Sequence, residues 1–289
     1  MESLIALFLF IFGLLIGSFV NVLTLRFGFV EHTRPRSECQ ACAQTLSWYE
    51  LIPLLSYVLL RGKCSACGAK ISIQYPLVEL LTGCLFLWTY FVFAPVESLL
   101  VLVPIMLLLL FWASFVALLV YDIRHTLVPI HFVAPLFSAA LLTRIYEAFL
   151  FGSYAPLVDA LFGALTLGGF MLLIVLITKG KGMGVGDIYV AGALGILFGV
   201  TRGIEVLTLA FWIGAVVGVA LVVYSGVRQG ALQRSLSSLE KNNKNTSPGK
   251  GFKMKSEVPF VPFLFVAAVL GAYTGIAPFE LTATLISLL

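Results

Sequence analysis

The sequence has little charge and almost no aspartate. Only 11% of its 289 residues are Asp, Glu, Lys or Arg, where a soluble domain carries ~25%. That shortage excludes an ordinary soluble domain and a chain held disordered by its charge. Histidine occurs three times, as His32, His125 and His131, and aspartate three times, as Asp122, Asp159 and Asp187. No Gly-x-Ser-x-Gly elbow and no His-Glu-x-x-His helix occurs, so neither serine-hydrolase nor zincin chemistry has support. A glycine-rich Rossmann fingerprint is also missing. Five cysteines are too few for a secreted disulfide scaffold of this length. The net charge of +4 is too small to point to nucleic acid.

What remains is apolar. Sixty per cent of the residues are hydrophobic, and the mean hydropathy is +1.05. A bilayer span needs ~20 mostly apolar residues, so about 160 residues of near-continuous apolar sequence make roughly eight spans. The runs are Ser3–Leu25, Pro76–Phe93, Leu99–Tyr121, Pro129–Ile145, Pro156–Thr178, Ile188–Val200, Val206–Val227 and Pro259–Ala277. The first is too long for a signal-peptide core and has no basic residue before it, so it reads as a retained helix. The run from Ile188 is short and glycine-rich, which suits a helix packed inside a bundle. The expected fold is an all-α polytopic membrane protein.

Charge placement orients it. Arg26, Arg34, Arg36, Arg61, Lys63, Lys70, Arg124, Lys179, Lys181, Arg228, Arg234, Lys241, Lys244, Lys250, Lys253 and Lys255 fall in one set of loops. Only Arg144 and Arg202 fall in the other. The basic side is expected in the cytoplasm, which puts both termini outside. The chain then divides into a first transmembrane helix (1–25), a cytoplasmic cysteine-bearing unit (26–75) and a seven-helix membrane domain (76–289). Residues 228–257 are polar, basic and low in complexity. They read as a cytoplasmic linker, or as a surface for anionic lipid or a partner.

The cysteines carry the first chemical signal. Cys39-x-x-Cys42 and Cys64-x-x-Cys67 are two knuckles separated by 21 residues. They supply the four soft ligands of a tetrahedral zinc site. A reducing cytoplasm argues against two disulfides there. Four protein ligands close the metal's shell, so this zinc is structural and leaves no position for a catalytic water. Cys84 lies inside a span and reads as a small buried hydrophobe.

Asp122 and Asp187 carry the second. Asp122 ends the third span, and Asp187 begins the sixth within Gly182-Met183-Gly184-Val185-Gly186-Asp187. Both stand at one depth of the membrane boundary, where a carboxylate is costly. Two carboxyls brought together in a low-dielectric site share one proton. The ionised partner then takes a proton from water while the protonated one donates to a scissile carbonyl. A bell-shaped pH dependence follows. The bland alternative is a glycine turn with a helix-capping aspartate. Asp159 reads as a capping or interfacial residue, His125 as an interfacial one, and Glu79 as an interfacial ion pair or a functional carboxylate.

Together these residues resemble the type IV prepilin peptidases, or leader peptidases, which are Gly-x-Gly-Asp membrane aspartic proteases. The likeness runs through Gly17-Ser18-Phe19-Val20-Asn21-Val22, Arg36-Ser37-Glu38-Cys39, Leu51-Ile52-Pro53-Leu54-Leu55-Ser56-Tyr57 and Arg61-Gly62-Lys63-Cys64-Ser65-Ala66-Cys67-Gly68. It continues through Tyr75-Pro76-Leu77-Val78-Glu79-Leu80-Leu81, Asp122 with Pro129, Gly184-Val185-Gly186-Asp187 and Pro259-Phe260-Val261-Pro262. The resemblance implies cleavage of the basic leader of type IV prepilins or pseudopilins, after a glycine, on the cytoplasmic face of the bacterial inner membrane. It implies Asp122 and Asp187 as the catalytic pair. It also implies N-methylation of the new N-terminus with S-adenosylmethionine, for which Glu79 is the candidate in cofactor binding.

Two positions depart from the family pattern. Gln40 stands where proline usually follows the first cysteine, and Tyr189 stands where a lysine commonly lies two residues past the second aspartate. Lys179 or Lys181 is the candidate substitute for that cation. Two other readings stay open from the residues alone. One is a Gly-x-Gly-Asp intramembrane protease of the presenilin or signal-peptide-peptidase kind. The other is a non-enzymatic transporter or scaffold with a zinc-stabilised domain.

Overall fold

A computed structural model describes residues 2–27, 37–93, 100, 102–180, 183–240 and 259–273, with side chains except those of residues 222, 225–240 and 273. His32, Arg34, Arg36, Lys181, Gly182 and residues 241–258 lie outside the described residues.

The fold is helical. Its long helices are α1 (Glu2–Arg26), α3 (Gln74–Phe93), α4 (Leu102–His125), α5 (Ile130–Phe151), α6 (Ala155–Thr178) and α7 (Val185–Glu240), with a short α2 (Leu55–Leu59) and α8 (Val261–Tyr273). Six are long and apolar enough to cross a membrane. Helical geometry breaks inside α7 at Gly199, whose φ is 71° and ψ −169°. The two α7 arms and α8 complete the eight apolar segments that the runs foretell. One boundary moves substantially. Residues 228–240, expected as linker, continue the second α7 arm.

Prolines set several starts. Pro76, Pro156 and Pro262 lie in the first turns of α3, α6 and α8, and Pro129 immediately precedes α5. These positions need no helical N–H. Left-handed residues close two ends, Gly152 after α5 and Lys179 with Gly180 after α6. Arg26 and Arg124 in last turns complement the helix dipoles of α1 and α4.

The core centres on α4, which packs on α1, α3, α5 and α8. Phe111, Trp112, Phe115 and Leu118 of α4 are inaccessible or nearly so. Apolar side chains also cover the outside, including Leu4, Phe8 and Ile11 of α1 and Leu161, Leu173 and Ile177 of α6. That outer face suits hydrocarbon rather than water. In lipid, helices gain little from hiding apolar surface, so close contact of small residues matters more. The first α7 arm fits its glycine-rich reading, because Val190, Ala191, Ala193, Leu194 and Leu197 are buried. Cys84 does not fit. It is exposed on the outside of α3, since Thr82, Gly83, Leu85 and Phe86 take the inward positions around it.

Candidate active site and its cysteine unit

Asp122 occupies the last turn of α4, and Asp187 the first turn of α7. They are 65 positions apart in sequence and are brought to the same end of the bundle. Asp122 is 4% exposed and Asp187 5%. The two carboxyls lie close enough for their charges to interact. Each keeps one backbone partner. Asp122 Oδ2 accepts the Val261 N–H at 3.2 Å, from the start of α8. Asp187 Oδ2 accepts the Gly184 N–H at 3.2 Å, while its own N–H reaches the Gly184 carbonyl at the same distance. The local capping turn is therefore present, and it leaves the Asp187 carboxyl within electrostatic reach of Asp122.

Gly186 explains how α7 gets so near. A Cβ at that position would overlap the Val128 side chain in the α4–α5 connection. Its absence seats the first turn of α7 against that connection, one residue before Asp187. Gly184 faces no such crowding; its nearest neighbour to a Cβ is Asp187 Oδ2 at 3.8 Å. Around Asp122, the rings of Phe27, Tyr121, His125, His131 and Phe132 form one aromatic cluster, with Tyr121 and His125 centroids 4.6 Å apart. His125 is thus packed into this cluster through Tyr121. Arg124 Nε donates to Gln74 Oε1 at 2.9 Å and ties the end of α4 to the start of α3. Tyr189 is 48% exposed. Lys179 is exposed at the end of α6.

The cysteine unit is a pair of matching turns. The Sγ atoms of Cys39, Cys42, Cys64 and Cys67 all lie within 4.8 Å of one another, with Cys39 and Cys67 at 3.9 Å. A tetrahedral zinc with Zn–S bonds of ~2.3 Å sets sulfurs ~3.8 Å apart, so the residues fit that ion. Cys39 N–H donates to the Gln44 carbonyl at 2.9 Å, and Cys64 N–H donates to the Ala69 carbonyl at 2.8 Å. Each knuckle ends on a left-handed residue, Ala43 or Gly68, and is closed by an isolated antiparallel bridge, Glu38 with Thr45 or Lys63 with Lys70. The N–H groups of Cys42 and Ala41 lower the Cys39 thiol to about 6. At Cys42 the Gln44 N–H pulls the other way, yet burial and three neighbouring sulfurs push the thiol up to about 11. Four crowded sulfurs resist ionising together, and a cation relieves that. Glu50 links the halves: it accepts from Ser65 Oγ and from the Ser47 N–H, and these bonds hold its carboxyl below the usual range.

Glu79 corrects one expectation. It forms no ion pair among the described residues. It is buried, and its Oε2 accepts the Leu54 N–H at 2.9 Å. Gly17 lies against it, since a Cβ there would meet Glu79 Cα at 2.7 Å. Asn21 Nδ2 donates to the Tyr75 carbonyl at 3.1 Å. Three segments that look separate in sequence, around Gly17–Asn21, Leu54 and Tyr75–Glu79, therefore meet at one joint. That joint fastens the cysteine unit to α1 and α3. Sequence reading missed it, because the signal is a buried acid facing a backbone N–H 25 positions earlier.

A family model described as the bacterial peptidase A24 N-terminal domain matches residues 11–93, and one described as the type IV leader peptidase family matches residues 107–219. A Bacillus subtilis protein named prepilin leader peptidase/N-methyltransferase is 36% identical over 219 residues, covering 74% of this chain and 82% of its own length. A Pseudomonas putida protein of the same name is 35% identical over 246 residues, covering 74% and 78%. A Myxococcus xanthus protein, also so named, is 37% identical over 237 residues, and the match spans 77% of this chain but only 65% of that relative. No solved structure matches. The buried aspartate pair, the four-cysteine unit and these relatives agree: the chain belongs to the type IV leader peptidase family.

Proposed function

We propose that the protein is a membrane aspartic endopeptidase that removes the basic leader of type IV prepilins or pseudopilins, cutting after a glycine at the cytoplasmic face. The observation that most supports this is the burial of two carboxyls, Asp122 and Asp187, from distant helices within electrostatic reach of each other. One carboxyl is ionised and takes a proton from water. The other is protonated and donates to the scissile carbonyl oxygen as the hydroxyl adds to carbon. The resulting diol collapses, the C–N bond breaks, and the leaving amine takes a proton. No covalent enzyme intermediate is needed. The substrate's apolar helix lies among the membrane helices while its basic leader stays at the surface.

The basic residues support a cytoplasmic position for this end of the bundle, with both termini outside the bacterial inner membrane. Cys39, Cys42, Cys64 and Cys67 hold a structural zinc, which supplies folding rather than hydrolysis. Membrane lipid suits the exposed Trp48, Leu55, Val58 and Leu59 of this unit. The curated relatives carry an N-methyltransferase name, and the same unit supports methylation of the new N-terminus by S-adenosylmethionine. Glu79 acts there by fastening the unit, a role its bond to Leu54 favours over contact with the cofactor.

The test is cleavage of a prepilin peptide by wild type, Asp122→Asn and Asp187→Asn, with S-adenosylmethionine present and products read by mass. Each folded variant is expected to lose about 10²–10⁴-fold in rate, the worth of a positioned acid or base. Full activity in either variant would sink the aspartic mechanism.

A further inference from the structure

At the opposite end of the bundle from the aspartate pair, three ionisable residues gather at the break in α7. The arm before the break, Val185 to Phe198, has fourteen residues. At ~1.5 Å per residue it is about 21 Å long, short of the ~30 Å hydrocarbon layer. The break therefore falls within the apolar layer, where freed backbone groups need protein partners.

They have them. Arg144 of α5 donates from Nε to the Ile196 carbonyl at 3.0 Å and from Nη2 to the Leu197 carbonyl at 2.6 Å. Its Nη1 bonds Glu147 Oε2 at 2.8 Å, and its Nη2 lies 3.9 Å from Asp159 Oδ2. Asp159 of α6 accepts the Val200 N–H at 3.1 Å, where the second arm begins. Gly199 leaves room for that carboxylate, since a Cβ there would overlap it. Gly163 of α6 and Gly195 of the arm touch backbone to backbone. The guanidinium thus uses all three nitrogens, two of them on carbonyls at the negative end of the arm's dipole.

That arm carries Asp187 at its other end. A helix is stiff along its axis, so its grip at Ile196 and Leu197 sets the height of the carboxyl nine and ten residues away. We propose that Arg144 is a positioning residue for cleavage, holding the short α7 arm in the register that places Asp187 against Asp122. The proposal rests on the reading of that pair as catalytic. Lysine is the informative replacement. It keeps the charge and the reach to Glu147, but a single ammonium lacks the planar fork that holds two adjacent carbonyls.

The experiment compares wild type with R144K in nanodiscs. Spin labels are carried as unnatural amino acids at Ile123 and Tyr189, both exposed, for a pulsed-EPR distance across the site. Unlabelled protein gives kcat and KM on a prepilin peptide. The proposal expects R144K to fold, to shift or broaden the distance, and to lose about tenfold or more in kcat with KM within about twofold, because ~1 Å of misplacement is costly in a preorganised site. An unchanged distance, an unchanged kcat, or failure of R144K to fold overturns it, the last by assigning Arg144 to stability alone. A shifted distance in R144K with a wild type that does not cleave prepilin would overturn the peptidase reading and keep the grip on the arm.

Discussion

Residues 37–73 bury little beyond Cys64 and Gly62, whereas α4 alone buries fifteen side chains. One chain thus holds two regions together by different means. The cysteine unit has short turns, two isolated bridges and four thiols, and almost no apolar core. The membrane bundle has apolar packing throughout and a few buried polar groups, among them Asn21, Glu79, Asp122, Arg144 and Asp187. A region without a core has four cysteines placed to hold a metal; a region with one depends on how closely its helices approach. Glu79 joins the two by accepting the Leu54 N–H.

Metal removal should break the comparison most strongly, since structural zinc contributes ~10–16 kcal/mol of apparent binding energy in small units. A chelator, or Cys64→Ser with Cys67→Ser, is expected to release protection of the amides of residues 37–73 from hydrogen exchange. Those of α4 should stay protected. Parallel loss in both regions would show that the unit and the bundle fold as one. Gly186→Ala probes the bundle instead. Its Cβ would overlap Val128, an overpacking worth ~1–3 kcal/mol. Cleavage should fall, and adding Val128→Ala should recover part of it; no recovery would separate Gly186 from that contact.

The joint comes next. Glu79→Leu leaves the Leu54 N–H without its partner, at a cost of ~1–3 kcal/mol. Methyl transfer is expected to fall more than cleavage, measured on one sample with uncut and precut pilin peptides. Equal losses would argue that Glu79 supports the membrane domain as a whole. The smallest effect is electrostatic. Glu50 has its carboxyl held low by Ser65 and Ser47, so the charged form is favoured in the folded unit. Its contribution is present above ~pH 4.5 and is lost as pH falls through the lower folded value. Exchange of the residue 64–68 amides should differ between wild type and Glu50→Gln at neutral pH and converge in acid. A difference that persists in acid would assign Glu50 a role other than its charge.

Much of the fold was legible because membrane crossing has a length requirement and zinc a ligand spacing. Apolar runs foretold seven helices and the short α8, and two Cys-x-x-Cys knuckles foretold the cluster. Asp122 and Asp187 stood out because aspartate is scarce and the two sit at matching depth. Other features were hidden. Periodicity says that Cys84 is helical but not which way it faces, and the neighbouring inward positions turn it outward. The polar run after residue 228 looked like linker because composition does not reveal that α7 continues to Glu240. Arg144 looked like a loop charge of the opposite face, although it is buried and bonded to two carbonyls more than fifty positions away.

By itself the sequence determined the class of fold, the uneven placement of its basic residues and the four clustered cysteines, and it singled out the two aspartates. Each follows from local composition or short spacing, which act before any distant contact forms. Only the tertiary structure decided that Val261 bonds Asp122, that Gly186 seats α7 against Val128, that Glu79 fastens Leu54, and that Arg144 closes the break at Gly199. Those are meetings of segments from 25 to 139 positions apart, and the apolar layer demands them, because it offers a freed backbone group no water to turn to.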